Sequence, residues 1–180
     1  MHHERLIRAA AAYLALSAAT VFGADYADEA RDYGVSSMSS PKGSPYSQAT
    51  PMSIPGAKTI KTDELKEMLA GDIKPVLVDA LAGAAMIDGA DGLGSSIGEQ
   101  RMFGPDRTMF PKALEKLTGG DKGKAVVFYC RSSQCWHSYN ASLHAIAAGY
   151  TNVYWYRGGI DAWIASGGKT VPYSVSAAAR

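Results

Sequence analysis

Residues 125–136 read Ala-Val-Val-Phe-Tyr-Cys-Arg-Ser-Ser-Gln-Cys-Trp, a buried strand that runs into a polar turn between two cysteines. Ala125 to Tyr129 form an unbroken apolar run rich in β-branched and aromatic residues, the pattern of a strand buried on both faces of a parallel sheet. Cys130 closes the run. Trp136 to Ala148 then carries Tyr139, Leu143 and Ile146 at helical spacings and stops at Gly149, so residues 130–135 make the turn from a buried strand into a helix.

The same alternation continues on both sides. Downstream, Val153 to Tyr156 reads as another strand, and Gly158-Gly159 turns into a short helix around Ala162-Trp163-Ile164 that ends at Gly167-Gly168. Upstream, a helix from Pro111 to Leu117 stops at Gly119-Gly120, and Pro75 to Ala80 is a second buried strand, with the carboxylate of Asp79 near its end. Before it, Thr62 and Asp63 suit a helix N-terminus, with Leu65, Met68 and Leu69 on one face and Gly71 as the stop. Strands alternating with helices predict an α/β domain with a mainly parallel central sheet covered on both faces. Residues 82–110 are Gly-rich with neither period, and are expected to form a binding or lid loop or a disordered insertion.

The chain has 180 residues, of which 47% are hydrophobic and 19% charged, with a net charge of +1. This is too apolar for wholesale disorder. A domain of this size buries roughly two thirds of its unfolded surface without a metal or disulfide staple. The balanced charge leaves no cationic excess for nucleic acid or an anionic membrane, and two cysteines exclude a disulfide-rich scaffold.

Residues 1–24 follow the pattern of a signal peptide: a basic start with Arg5 and Arg8, an apolar run, then small residues, with cleavage expected after Ala19 or Ala24. The run is too short to span a bilayer, which takes about 20 residues. No membrane span is expected after cleavage, and the expected location is periplasmic, where unprotected thiols tend to become disulfides. Residues 25–52 are Ser- and Pro-rich toward their end and read as an extended, loosely held arm. Residues 53–172 form the folded domain and residues 173–180 a tail.

Ligands of open α/β sheets collect beyond the carboxyl ends of the strands, where Cys130 to Trp136 lie. Unpaired amides and the dipole of the following helix favour a thiolate there. A free thiol with pKa about 8.5 is only roughly 3% ionised at pH 7, and a drop of about two units makes it mostly thiolate. Arg131 adds a permanent cation, and Ser132, Ser133 and Gln134 add hydrogen-bond donors. Cys130 is the candidate nucleophile, with Arg131, Ser132, Ser133, Gln134, Cys135 and Trp136 as candidate binding residues.

With strand, Cys-initiated loop, helix, Gly149-Tyr150-Thr151-Asn152-Val153 and Gly158-Gly159-Ile160-Asp161-Ala162-Trp163 in this order, residues 125–163 resemble the C-terminal half of a rhodanese domain. Ile54-Pro55-Gly56-Ala57 and the strand ending at Asp79 resemble the N-terminal half. The resemblance implies a three-layer α/β/α domain without a cofactor. It also implies a persulfide on Cys130 that passes sulfur from a small donor such as thiosulfate to a thiol or cyanide-like acceptor. Arg131 and Ser132 match the family's Cys-Arg-Ser opening, whereas Ser133 and Cys135 stand where Gly and Arg, Ser or Thr are usual. Cys135-Trp136, Ser138 to Ala141 and Tyr154 to Tyr156 are similar to an exported rhodanese-like branch named for a Cys-x-x-Cys-Trp motif, although four residues separate the cysteines here. That likeness implies an association with PQQ-dependent alcohol oxidation and a periplasmic dehydrogenase system as partner.

Three roles stay open for the cysteine pair. Cys135 could resolve a persulfide or sulfenic acid on Cys130, the pair could be an oxidised clasp, or both could join His137 and His144 on zinc. Trp136 is either an apolar wall over the loop or a core aromatic; Trp155 and Trp163 are assigned to packing.

Overall fold

The computed structural model describes residues 25–100 and 109–179. The signal-peptide expectation for residues 1–24 lies outside them, as do residues 101–108 of the Gly-rich stretch. The elements in chain order are β1 (Lys58–Ile60), α1 (Thr62–Ala70), β2 (Val76–Asp79), β3 (Ala85–Ile87), β4 (Asp91–Gly92), α2 (Met109–Thr118), β5 (Val126–Tyr129), α3 (Trp136–Ala147), β6 (Val153–Tyr156), α4 (Gly159–Ala165) and β7 (Thr170–Pro172). Five strands form one sheet in the order β1-β6-β5-β2-β4, every neighbouring pair parallel.

Period-two alternation along these strands builds the two sides of the sheet. Val76, Val78, Val126 and Phe128 pack with Phe110, Leu114, Ala141 and Ala145 of α2 and α3. The intervening Leu77, Val127 and Tyr129 pack with Leu65, Ile160 and Trp163 of α1 and α4. Two helices therefore cover each face, giving the three-layer α/β/α architecture. The four residues of β5 are fully buried, which is why its sequence shows no polar alternation. Among the described residues, no helix is long and apolar enough to cross a membrane.

Residues 82–110 show no period in sequence, yet form short strands. Their described part holds β3, which pairs antiparallel with β7, and β4, which extends the main sheet beside β2. Strands of two or three residues are too short to show a period, and tertiary pairing makes them. The tail is also engaged: the Ser176 amide donates to the Gly92 carbonyl at 2.9 Å, and its hydroxyl to Asp91 Oδ1 at 2.7 Å.

Residues 25–52 hold no helix or strand and are firmly held. Arg157, directly after β6 and 2% exposed, donates five hydrogen bonds into this arm. Nη1 reaches the Glu29 carbonyl, Nη2 those of Arg31 and Thr50, and Nε the Pro51 carbonyl and Thr50 Oγ1, at 2.6 to 3.2 Å. Its guanidinium also lies over the Tyr33 ring at 5.4 Å. The arm brings mostly backbone acceptors to this contact, which a hydrophobic pattern does not register.

Candidate active site

Strand β5 ends at Tyr129 and delivers Cys130 to the carboxyl edge of the sheet. The chain then turns through Arg131 to Gln134, closed by a hydrogen bond from the Cys135 amide to the Ser132 carbonyl at 3.1 Å. Cys135 occupies the N-cap position of α3 in an extended conformation (φ −131°, ψ 115°). From the other side, α4 docks on the loop, the amides of Ile160 and Asp161 donating to the carbonyls of Cys130 and Arg131, both at 2.9 Å. Gly159, at φ +63°, permits this contact, because a β-carbon there would stand 2.6 Å from the Cys130 carbonyl oxygen.

The sulfurs of Cys130 and Cys135 are joined in a disulfide, with Cα atoms 6.2 Å apart, within the usual span of such bonds. The two ends differ in access. Cys130 is 1% exposed and Cys135 6%. Cys135 lines a cleft of about 330 Å³ together with Ser47, Leu81, Arg131, Ser132, Gln134 and His137. The structure thus gathers four of the expected site residues around one cleft: Arg131, Ser132, Gln134 and Cys135.

Cys130, Ser133 and Trp136 lie elsewhere. Cys130 is buried and does not line the cleft. Ser133 is buried against the arm, its carbonyl accepting from the Thr50 amide (3.1 Å) and hydroxyl (2.7 Å) and its hydroxyl 3.1 Å from that of Tyr33. Trp136 points into the core with Tyr139, Leu143 and Trp155, and its Nε1 donates to the Ala49 carbonyl at 3.0 Å. Trp155 and Trp163 are core residues, as expected.

Three loop amides are already engaged. Those of Gln134, Cys135 and Trp136 donate to Ser132 Oγ, the Ser132 carbonyl and the Tyr46 carbonyl. In this oxidised loop they are not available to an anion.

Two ionisable side chains border the site. Asp79 is buried at the end of β2, and Oδ1 accepts from the amides of Leu81 (2.6 Å) and Ala82 (3.3 Å). Burial raises its carboxyl above the ordinary range against the pull of these donors, and burial with the Asp79 charge raises the Tyr129 phenol strongly. Burial lowers the His137 imidazole, opposed by Glu99 and by the Ser95 and Gly98 carbonyls. His137 is thus held toward its neutral form, with Nδ1 buried and unpartnered among the described residues. The zinc set does not assemble: the two sulfurs are bonded to each other, His144 Nε2 lies 3.1 Å from the Glu99 carbonyl, and no group of three metal-ligating side chains occurs among the described residues.

Thr50, Tyr33, Tyr46, Ser47, Leu81, Gly159 and Arg157 were not legible as parts of the site. Two of them carry a signal: Arg157, a charge directly after an otherwise buried strand, and Gly159, in the Gly158-Gly159 turn.

A parallel sheet with a cysteine-initiated loop between its central strand and a helix defines a class of α/β domains that present a thiol at the carboxyl edge of the sheet. The chain belongs to the rhodanese-like domain family, whose model matches residues 52–166, and domains of this family need no cofactor. Among solved structures, it is similar to a thiosulfate sulfurtransferase from Pseudomonas aeruginosa (18% identity, TM-score 0.50), over 67% of this chain and 21% of that one. It thus spans about a fifth of that protein's length. It is also similar to the rhodanese-like domain of an Anabaena protein (21% identity, TM-score 0.47, 64% and 79% covered). A further similar structure is a polysulfide-sulfur transferase from Wolinella succinogenes (17% identity, TM-score 0.44, 66% and 81% covered). Among curated protein sequences, none matches the chain significantly.

Proposed function

We propose that the chain is an exported sulfurtransferase in which Cys130 carries a sulfane sulfur as a persulfide and Cys135 resolves it. An external thiol first reduces the disulfide, taking up its oxidation as a second disulfide. The Cys130 thiolate then attacks the outer sulfur of a donor such as thiosulfate; a sulfur–sulfur bond forms on Cys130 and sulfite leaves with the bonding pair. The outer sulfur passes to a nucleophile such as cyanide, giving thiocyanate. Alternatively, the Cys135 thiolate attacks Cys130 Sγ and expels hydrosulfide, which regenerates the disulfide.

The observation that carries this reading is the bond between the cysteines, since a thiol within bonding distance of Cys130 can reach any sulfur species formed there. Arg131 in the cleft supplies a cation for an anionic donor. The test is thiocyanate formation from thiosulfate and cyanide by the pre-reduced protein. Turnover that is lost in Cys130→Ser supports the proposal; wild-type turnover no faster than that of the serine variant rejects it.

A second reading is a thiol–disulfide module without sulfane sulfur, serving a periplasmic PQQ-dependent alcohol oxidation system. It is favoured by the engagement of the Gln134, Cys135 and Trp136 amides, which leaves those three donors unavailable to a persulfide. Sulfur uptake by the reduced protein separates the two readings.

A further inference from the structure

We infer that the thiol which reopens the disulfide attacks Cys135 and not Cys130, so that Cys135 carries the mixed disulfide and Cys130 leaves as the thiolate. This deepens the proposed function and rests on its premise that an external thiol reduces the disulfide. Attack on a disulfide is collinear: the nucleophile approaches one sulfur along the extension of the S–S bond and the far sulfur departs. Access therefore selects the sulfur that is attacked.

Here access is one-sided. Cys135 lines the cleft with Arg131, Ser132, Gln134 and His137, whereas Cys130 does not line it and lies at the end of β5. Its backbone there is pinned by the amide of Ile160. A thiolate in the cleft meets Cys135 first, with Cys130 on the leaving side. Arg131 gives the cleft a permanent cation, which favours an anionic thiol.

In the first step the thiolate forms a bond to Cys135 Sγ, and the electron pair of the broken S–S bond stays on Cys130. In the second step another thiolate attacks the outer sulfur, forming the reductant's own disulfide and leaving the Cys135 thiolate. Two thiols are oxidised and one protein disulfide is reduced. The order has a functional consequence: the sulfur freed first is the one that then accepts the sulfane sulfur, while Cys135 stays blocked until the second step.

The chain contains its own means of reading the outcome. Trypsin cleavage after Lys124, Arg131 and Arg157 places Cys130 in peptide 125–131 and Cys135 in peptide 132–157. Folded, oxidised wild-type protein is mixed with glutathione, quenched with an alkylating agent during the reaction, and digested. The glutathione adduct is expected on peptide 132–157 and the alkyl group on peptide 125–131, with an excess on the order of tenfold over the reverse pattern because access governs the attack. An adduct on peptide 125–131, or an even division, overturns the inference. So does a disulfide that stays intact in the folded protein under glutathione that reduces the urea-unfolded chain. No thiosulfate enters this experiment, so a misplaced adduct refutes the direction of attack alone. Failure of sulfur loading on Cys130 is read in the thiocyanate assay.

Discussion

Thr50 holds Ser133 twice: its amide at 3.1 Å and its hydroxyl at 2.7 Å both donate to the Ser133 carbonyl oxygen. The same hydroxyl accepts from Arg157 Nε at 3.2 Å. One arm residue thus ties the middle of the cysteine loop to the buried guanidinium that anchors the arm. Thr50→Val keeps the shape and removes the hydroxyl, and is expected to cost about 1 to 2 kcal/mol, the usual loss for a buried hydrogen-bonded hydroxyl. Thr50→Ser, which keeps the hydroxyl, should cost less. Equal costs for the two variants in urea unfolding would contradict this role.

Arg157 is expected to tolerate no substitute. Lysine preserves the charge, but its single ammonium cannot span the carbonyls of Glu29, Arg31, Thr50 and Pro51. Arg157→Lys should destabilise the protein by roughly 2 to 4 kcal/mol, since several charge-assisted bonds are lost together. Limited proteolysis should then cut within residues 25–52 while the rest of the domain stays resistant. Unchanged cleavage of the arm would show that other contacts suffice to hold it.

Gly159 and Gly149 make a matched pair. Both have positive φ, +63° and +90°, but space is open around a β-carbon at Gly149 and closed by the Cys130 and Arg131 carbonyls at Gly159. Gly149→Ala should cost about 1 kcal/mol of backbone strain. Gly159→Ala adds displacement of the loop backbone and should cost about 2 kcal/mol more. It should also raise the rate at which glutathione reduces the disulfide. Similar stabilities for the two variants would argue against the close docking of α4 on the loop.

Glu29 gives the fold a pH dependence. Its carboxyl is buried, Oε2 accepting from the Thr62 amide and hydroxyl at 2.9 and 2.6 Å, and burial raises it above its ordinary value of 4.5 against the pull of those bonds. A carboxyl raised on folding binds its proton more tightly in the folded state. The resulting stability is complete below the ordinary value and is lost as pH climbs through the raised one. Glu29→Gln should therefore flatten the fall in Tm between pH 4.5 and neutrality. A slope as steep as that of the wild type would assign the dependence to Asp79, whose carboxyl is raised in the same direction.

The central βαβ succession was legible because each of its signals is local. The apolar run of β5, the helical spacing of Tyr139 and Leu143 and the stop at Gly149 need no partner to be read, and Cys130 follows from where the strand ends. Other parts depend on partners. β4 exists because Asp91 and Gly92 pair with Val78 and Asp79, and the arm holds its place through carbonyls that meet Arg157. Thr62 looked like a helix cap, yet its hydroxyl is taken by Glu29 and Tyr156, and it is the Glu64 carboxylate that accepts from the Lys61 amide at the start of α1. The sequence placed both cysteines on the loop. Which of them faces the cleft follows from how α3 and α4 close on that loop, a tertiary property.

The central claim is that Cys130 holds a sulfane sulfur which Cys135 can discharge, and the most direct test is the intact mass of reduced protein after brief treatment with thiosulfate. Cys135→Ser should gain the mass of one sulfur atom, Cys130→Ser should gain none, and the wild type should return to the disulfide with release of hydrosulfide. A Cys135→Ser protein that takes up no sulfur, or a Cys130→Ser protein that does, would contradict the claim.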